Sequence, residues 1–416
     1  MIGIGRTAVS VMAAAVGIMA PGALGWAQEK PADSAESRPI TKAESLEFGK
    51  GLAEAFVKLD SEGVTRAVDF DAILDAAIEG VKVPPGFREG FMEGAKGARE
   101  RDGHPLIAEF RLAIQAGAVV RATKGMEWQG RPACLVRIIT SEMVTSYIVF
   151  LLDRAPDGHI RAVDYYSLAT GDLASEAIRR VYMAAVAQAN QGIIGRLFGA
   201  EQAFLKHLDA LKRMSAAHRE GRAKEALTIY DALPEESKND KVIQILRFSA
   251  AQKLGDDAKY LETIQDFARR FPDDPARDFL MIDGYLLMNP PEPAKALECV
   301  GKLEKALDGD AYLKVLRGNI LTRMERNDDA LASYREAIAE EPDLRPAYDA
   351  ALDAALALKR FGMVAEMLDA LESVFDQEIV DLSEIELFDE FLDSPEGKAW
   401  AEKHEKSKPK DESPES

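Results

Sequence analysis

The second half of this chain repeats itself at a nearly fixed interval, and that interval limits the fold more than any other feature. Ala226, Tyr260, Ala296, Ala330 and Val364 stand 34, 36, 34 and 34 residues apart. Four residues after each comes an apolar residue: Tyr230, Ile264, Val300, Tyr334 and Leu368. Three further on sit Leu233, Phe267, Leu303, Ala337 and Leu371. The i, i+4, i+7 spacing marks one face of a helix. Its return at a constant period is the mark of an array of helical units. A unit this short cannot bury its own apolar face, so neighbours must stack. Residues 200–378 are therefore predicted to form an α-solenoid of about five helical hairpins.

The fullest unit is Ala311–Leu344, with Gly318 in its first helix, Ala330, Tyr334 and Ala337 in its second, and Pro342 at its end. Gly318 and Ala330 are small where two helices of a hairpin cross closely, and Pro342 ends the second helix. These residues resemble the tetratricopeptide repeat, which has a small residue in its first helix, Ala-x-x-x-aromatic-x-x-Ala in its second, and a terminal Pro. The neighbours match in part: Gly221, Ala226 and Tyr230 in the first unit, Gly255, Phe267 and Pro272 in the second. The third unit is enlarged around Pro290-Pro291-Glu292-Pro293, and the fifth keeps only an apolar pattern.

The resemblance implies a groove that binds an extended peptide or partner helix. First-helix places expected to face it include Ser215, Arg219, Ser249, Lys253, Asp283, Asn319, Arg323 and Asp353. Arg219, Lys253 and Arg323 are equivalent places and form a short basic line. Such a line suits an acidic peptide or a terminal carboxylate; the alternative is three solvated side chains, the default for exposed charge. Family members that dock chaperones clamp a carboxylate with Lys at a set place. Here that place holds Leu211, Ile245, Phe279, Val315 and Asp349, so chaperone docking is not expected.

Residues 1–27 read as a cleavable signal peptide, with Arg6, an uncharged apolar run from Thr7 to Ala20, and a small-x-small site at Gly25-Trp26-Ala27. Pro21 and Gly22 cut the run below the roughly 20 residues that a spanning helix needs. A periplasmic or secreted chain is expected, with no stable membrane insertion after cleavage. Residues 28–42 read as a linker. An α+β domain is predicted over 43–195. Helices are expected at Ala43–Asp60, Val68–Val81 and Gly86–Arg99, then an antiparallel four-stranded sheet at Ala118–Met126, Pro132–Thr140, Met143–Asp153 and His159–Tyr166, and a further helix from Leu173 to about Gln188. In the third strand Tyr147, Val149 and Leu151 alternate with Ile148, Phe150 and Leu152. Both of its faces are apolar, which marks a central strand. Helices over one face complete the module.

That element order resembles the cystatin-like, nuclear-transport-factor-like folds, whose cone can hold a small molecule. The resemblance implies a pocket lined by Arg137, Tyr147, Asp164 and Tyr166; the alternative is half-buried packing. A small-molecule-binding or hydrolytic domain with the solenoid as an assembly arm is thus the rival to a protein-binding scaffold.

Residues 379–404, with Leu387, Phe388, Phe391, Leu392 and Trp400, are expected to cap the array, the alternative being a recognition helix for a partner, and 405–416 to be a disordered acidic tail. The net charge is -19, and the last 41 residues carry 14 acidic residues against 5 lysines. That field disfavours nucleic acid. Cys134 and Cys299, alone and far apart, suggest buried free thiols rather than a disulfide framework. The five histidines show no metal-ligand spacing, and there is no Gly-rich phosphate loop or Gly-x-Ser-x-Gly elbow. No catalytic residue, cofactor or metal is assigned.

Overall fold

The computed structural model describes residues 38–81, 83, 85–102, 104–141, 144–189, 207–379 and 381–407. The expected leader at 1–27, most of the linker and most of the tail lie outside them. Residues 38–291 with 305–308 make one unit, and 292–304 with 309–407 another.

In the first unit, helix α1 (Lys42–Val57) starts at a capping box. The Glu44 amide donates to Thr41 Oγ1 at 3.2 Å, and the Thr41 amide donates back to Glu44 at 3.0 Å. Then come α2 (Ser61–Ala67), α3 (Phe70–Ile78), α4 (Phe87–Asp102) and α5 (Pro105–Gln115). The strands are β1 (Val119–Trp128), β2 (Arg131–Ile139), β3 (Thr145–Arg154), β4 (Ile160–Ser167) and β5 (Asp172–Leu173), paired antiparallel in sequence order. Helix α6 (Ala174–Ala189) follows.

The sheet has five strands, not the expected four. The fifth is a two-residue edge pairing with Tyr166 and Ser167, too short to show any alternation. Helices α2 and α5 were also unforeseen. Val68 leaves the helical run to bridge Ala162, and Asp69 starts α3 by accepting from the Ala72 amide at 3.0 Å. Helix α5 brings Phe110 flat against Phe56 of α1, with ring centroids 3.9 Å apart.

The strands present Cys134, Val136, Ile138, Ile148, Phe150 and Leu152 to a core shared with α1 and α5. Contact is closest at Gly125, where a Cβ would lie 1.8 Å from the Lys42 carbonyl oxygen. Only glycine lets β1 pass the first turn of α1. The opposite face is also buried: Ala133, Leu135, Tyr147, Val149 and Leu151 are at most 6% exposed. Helices therefore cover both faces of the sheet, not one.

That second cover comes from the hairpin helices. These are α7 (Leu208–Arg219), α8 (Ala223–Asp231), the one-turn α9 (Glu235–Lys238), α10 (Lys241–Leu254), α11 (Asp257–Arg270) and α12 (Pro275–Leu287). The Tyr147 ring meets Phe279 of α12 edge-on, with centroids 6.0 Å apart. Ala184 and Ala187 of α6 share a core with α7, α8 and α10. Asp240 and Asp274 cap α10 and α12, accepting from backbone amides two residues on at 2.9 and 2.8 Å.

The second unit holds most of α13 (Pro293–Ala306, whose last two residues fall in the first unit), α14 (Ala311–Arg323), α15 (Asn327–Glu340), α16 (Arg345–Ala357) and α17 (Phe361–Phe375). Asp310 caps α14 in the same way, its carboxylate accepting from Tyr312 at 3.0 Å. The crossing of α14 and α15 is set at Gly318, where a Cβ would sit 2.3 Å from the Tyr334 ring. The Tyr334 hydroxyl donates to Asn319 Oδ1 at 2.9 Å. After two short 3₁₀ turns come α18 (Asp389–Asp393) and α19 (Pro395–Ser407). Phe391 is fully buried between Phe361 and Trp400, while Leu387, expected to join them, is 63% exposed.

Candidate partner-binding face

The eight first-helix places expected to face a groove divide by burial. Arg219, Lys253, Arg323 and Asp353 are exposed, and Ser215 is half-buried. Ser249 and Asp283 lie inside, at 1% and 4% exposure. Asp283 accepts from the Tyr260 hydroxyl at 3.3 Å, a contact between α11 and α12. Asn319 is tied to Tyr334 of its own hairpin. For these three, hairpin packing has taken the side chain that a groove would use.

Arg219 and Lys253 belong to α7 and α10, and the structure links their places. Lys253 Nζ donates to the His218 carbonyl at 3.2 Å, one residue before Arg219. Burial, then the nearby Lys253 charge, push the His218 imidazole down to about 4, so it is neutral at physiological pH. Most hairpin arginines are held in ion pairs, among them Arg222, Arg247, Arg270, Arg317, Arg335 and Arg345. Among the described residues no ion pair holds Arg219 or Arg323. Both remain available to an incoming carboxylate.

A second charged feature escaped the sequence reading. Tyr230, Arg247, Glu262, Asp266, Arg269 and Arg270 line a cleft of about 340 Å³ between α8 and α11. Burial alone would raise Asp266. Hydrogen bonds from Tyr230 and Arg270 and the adjacent guanidinium charges outweigh burial and hold the carboxyl below its ordinary range. Arg247 Nη1 donates to Asp266 at 2.8 Å and its guanidinium lies 4.3 Å over the Tyr230 ring. Its cations are matched by internal acids, so it reads as a polar seam. Only the residue types were visible in sequence; they come from three separate helices.

The four residues expected to line a pocket in the sheet are all buried. Arg137, Tyr147, Asp164 and Tyr166 are 2%, 0%, 5% and 6% exposed. They share one sheet face, since Arg137 pairs with Tyr147, Val149 with Tyr166, and Leu151 with Asp164. That face is closed by helices rather than open to solvent. Asp164 caps α6, accepting from Ser175 Oγ at 2.5 Å and the Ser175 amide at 3.2 Å. Burial nevertheless raises its carboxyl to about 6. The Tyr166 hydroxyl donates to Asp274 at 2.5 Å. Beside them Arg180 pairs with Asp172 in a fully buried contact. Burial pushes the Asp172 carboxyl well above the usual range, Arg180 pulling the other way.

A larger cleft, about 880 Å³, lies elsewhere on the module among α1, α2 and β4. Phe48, Leu52 and Ala55 form its apolar part, and Lys58, Arg66 and Arg161 stand among its charges. Cys134 and Cys299 are buried free thiols. Among the described residues no helix is long and apolar enough to cross a membrane.

No family model and no curated protein matches this chain. Among solved structures, a point mutant of MamA and MamA from AMB-1 are similar over 44% of this chain and 98% of theirs, at 14% identity and a TM-score of 0.34. TTC0263, a thermophilic TPR protein in Thermus thermophilus, is similar over 45% of this chain and 99% of its own, at 21% identity and a TM-score of 0.31.

Proposed function

We propose that this chain is an exported, non-catalytic scaffold whose hairpins hold an acidic peptide segment of a protein partner. The observation that carries the reading is the basic pair on α7 and α10. Arg219 and Lys253 occupy equivalent places, reach solvent, and are linked through the His218 carbonyl, with no carboxylate described against either. Arg323 presents the same chemistry at the equivalent place of α14. Charge-assisted hydrogen bonds from such groups to a carboxylate are roughly twice as strong as neutral ones. Export rests on the leader-like pattern of residues 1–27.

The test is crosslinking in the native envelope from a photoreactive residue placed at Ser215, followed by mass spectrometry of what is attached. A discrete partner with an acidic segment is expected. Arg219→Glu combined with Lys253→Glu should weaken its binding at least about tenfold, or ~1.4 kcal/mol, with the circular dichroism spectrum unchanged. Capture that survives both reversals would reduce these cations to solvated surface.

A further inference from the structure

Three side chains near the end of the chain converge from two helices. Asp369 and Glu372, three residues apart, share one face of α17, and His404 reaches them from α19. One ligand atom from each lies within 4.8 Å of the others. His404 Nε2 is 2.5 Å from Glu372 Oε2 and 3.8 Å from Asp369 Oδ1. The other ring nitrogen, Nδ1, lies 2.9 Å from the Trp400 carbonyl oxygen. A carbonyl and a carboxylate can both only accept, so without an ion Nδ1–H donates to Trp400 and Nε2–H to Glu372, and an incoming dication would take the place of the Nε2 proton.

That is how a metal-binding imidazole is held: the distal N–H on a backbone carbonyl fixes the tautomer and aims the other nitrogen. The supporting contacts extend further. The His404 ring stacks on Trp400, with centroids 4.0 Å apart. Trp400 Nε1 in turn donates to Asp369 Oδ1 at 3.0 Å, orienting that carboxylate. The His404, Asp369 and Glu372 side chains are 17%, 39% and 34% exposed, so an ion has a way in.

We propose that Asp369, Glu372 and His404 form a divalent-cation site of the zinc class that fastens α19 to α17. One imidazole nitrogen with two carboxylate oxygens suits zinc better than calcium or magnesium, which prefer all-oxygen shells. Zinc binds such atoms at about 2.0–2.2 Å, so its ligands stand roughly 3.4 Å apart. Glu372 must then retreat by about an ångström and Asp369 approach by less, both within reach of side-chain rotation. Lys403 Nζ, now 2.6 Å from Asp369 Oδ2, is 65% exposed and free to swing into water as the dication arrives. Three protein ligands leave the fourth position for water.

The test is titration of the whole chain with zinc chloride in chelator-stripped buffer, by calorimetry, with cobalt(II) absorption reporting coordination. One saturable site is expected, with a raised Tm in the bound form, and His404→Gln and Glu372→Gln should each weaken binding at least tenfold. No saturable binding below millimolar zinc, or binding that both variants leave unchanged, would overturn the proposal. Should His404→Gln disturb the metal-free fold, Glu372→Gln alone decides between the same outcomes.

Discussion

At Gly318 there is room for a hydrogen and nothing more. A methyl group there would stand 2.3 Å from a ring carbon of Tyr334, and that ring is fully buried and tethered through its hydroxyl to Asn319. Because the ring cannot swing aside, Gly318→Ala should cost about 1–3 kcal/mol by overpacking, despite alanine's better helix propensity. Urea denaturation measures it, with Tyr334→Phe as the companion. If Gly318→Ala is neutral, the helix crossing is set elsewhere. This residue and Ala330, 1% exposed, were legible because small residues at fixed places in a period have one explanation. Asp283 and Asn319 turn inward without a sign in the sequence, because a polar side chain on a first helix reads the same whether it meets water or a tyrosine hydroxyl, and Ser249 is small enough to be buried in the packing without changing the pattern.

Helix starts show the same split at the next scale. Asp240, Asp274 and Asp310 follow a spacing of 34 and 36 residues, and each caps a first helix. That second ruler was present in the sequence, hidden by the general excess of acidic residues. Asp274 does more than cap: it also accepts from Tyr166 at 2.5 Å and pairs with Lys241 at 2.7 Å, joining α12 to β4 and α10. Asp256 caps α11 from the surface, accepting from Lys259 at 2.9 Å. Losing a cap costs about 1 kcal/mol, whereas breaking a buried charge network costs about 3–5 kcal/mol. Thermal unfolding should therefore show Asp274→Ala well below Asp256→Ala. Equal losses would mean that the contacts to Tyr166 and Lys241 contribute nothing. Helix α5 was equally readable, since Leu106, Ile107, Phe110, Ala113 and Ile114 follow helical spacing; β5, two residues long, was not.

The first unit as a whole raises the question of whether its sheet module can stand without the hairpins. In β3 the residues Tyr147, Val149 and Leu151 alternate with Ile148, Phe150 and Leu152, and all six are buried. Alternation this complete identified the central strand, but it equally required a cover for each face. What covers the second face lies over a hundred residues away, at Phe279 and Asp274, a distance that local periodicity cannot bridge. The consequence is physical. A fragment of residues 38–189 would bare Leu135, Tyr147, Val149 and Tyr166 together, along with the Asp172–Arg180 pair, and an apolar patch of that kind drives association. Expressed alone, the fragment should bind a hydrophobic dye strongly, sediment as oligomers and melt without a cooperative transition. A monomeric fragment with a sharp transition would show that the hairpin helices rest on a finished module. A folded dependence would instead make α12 part of the module's own core, so that a partner pulling on the first hairpins also strains the sheet beneath them.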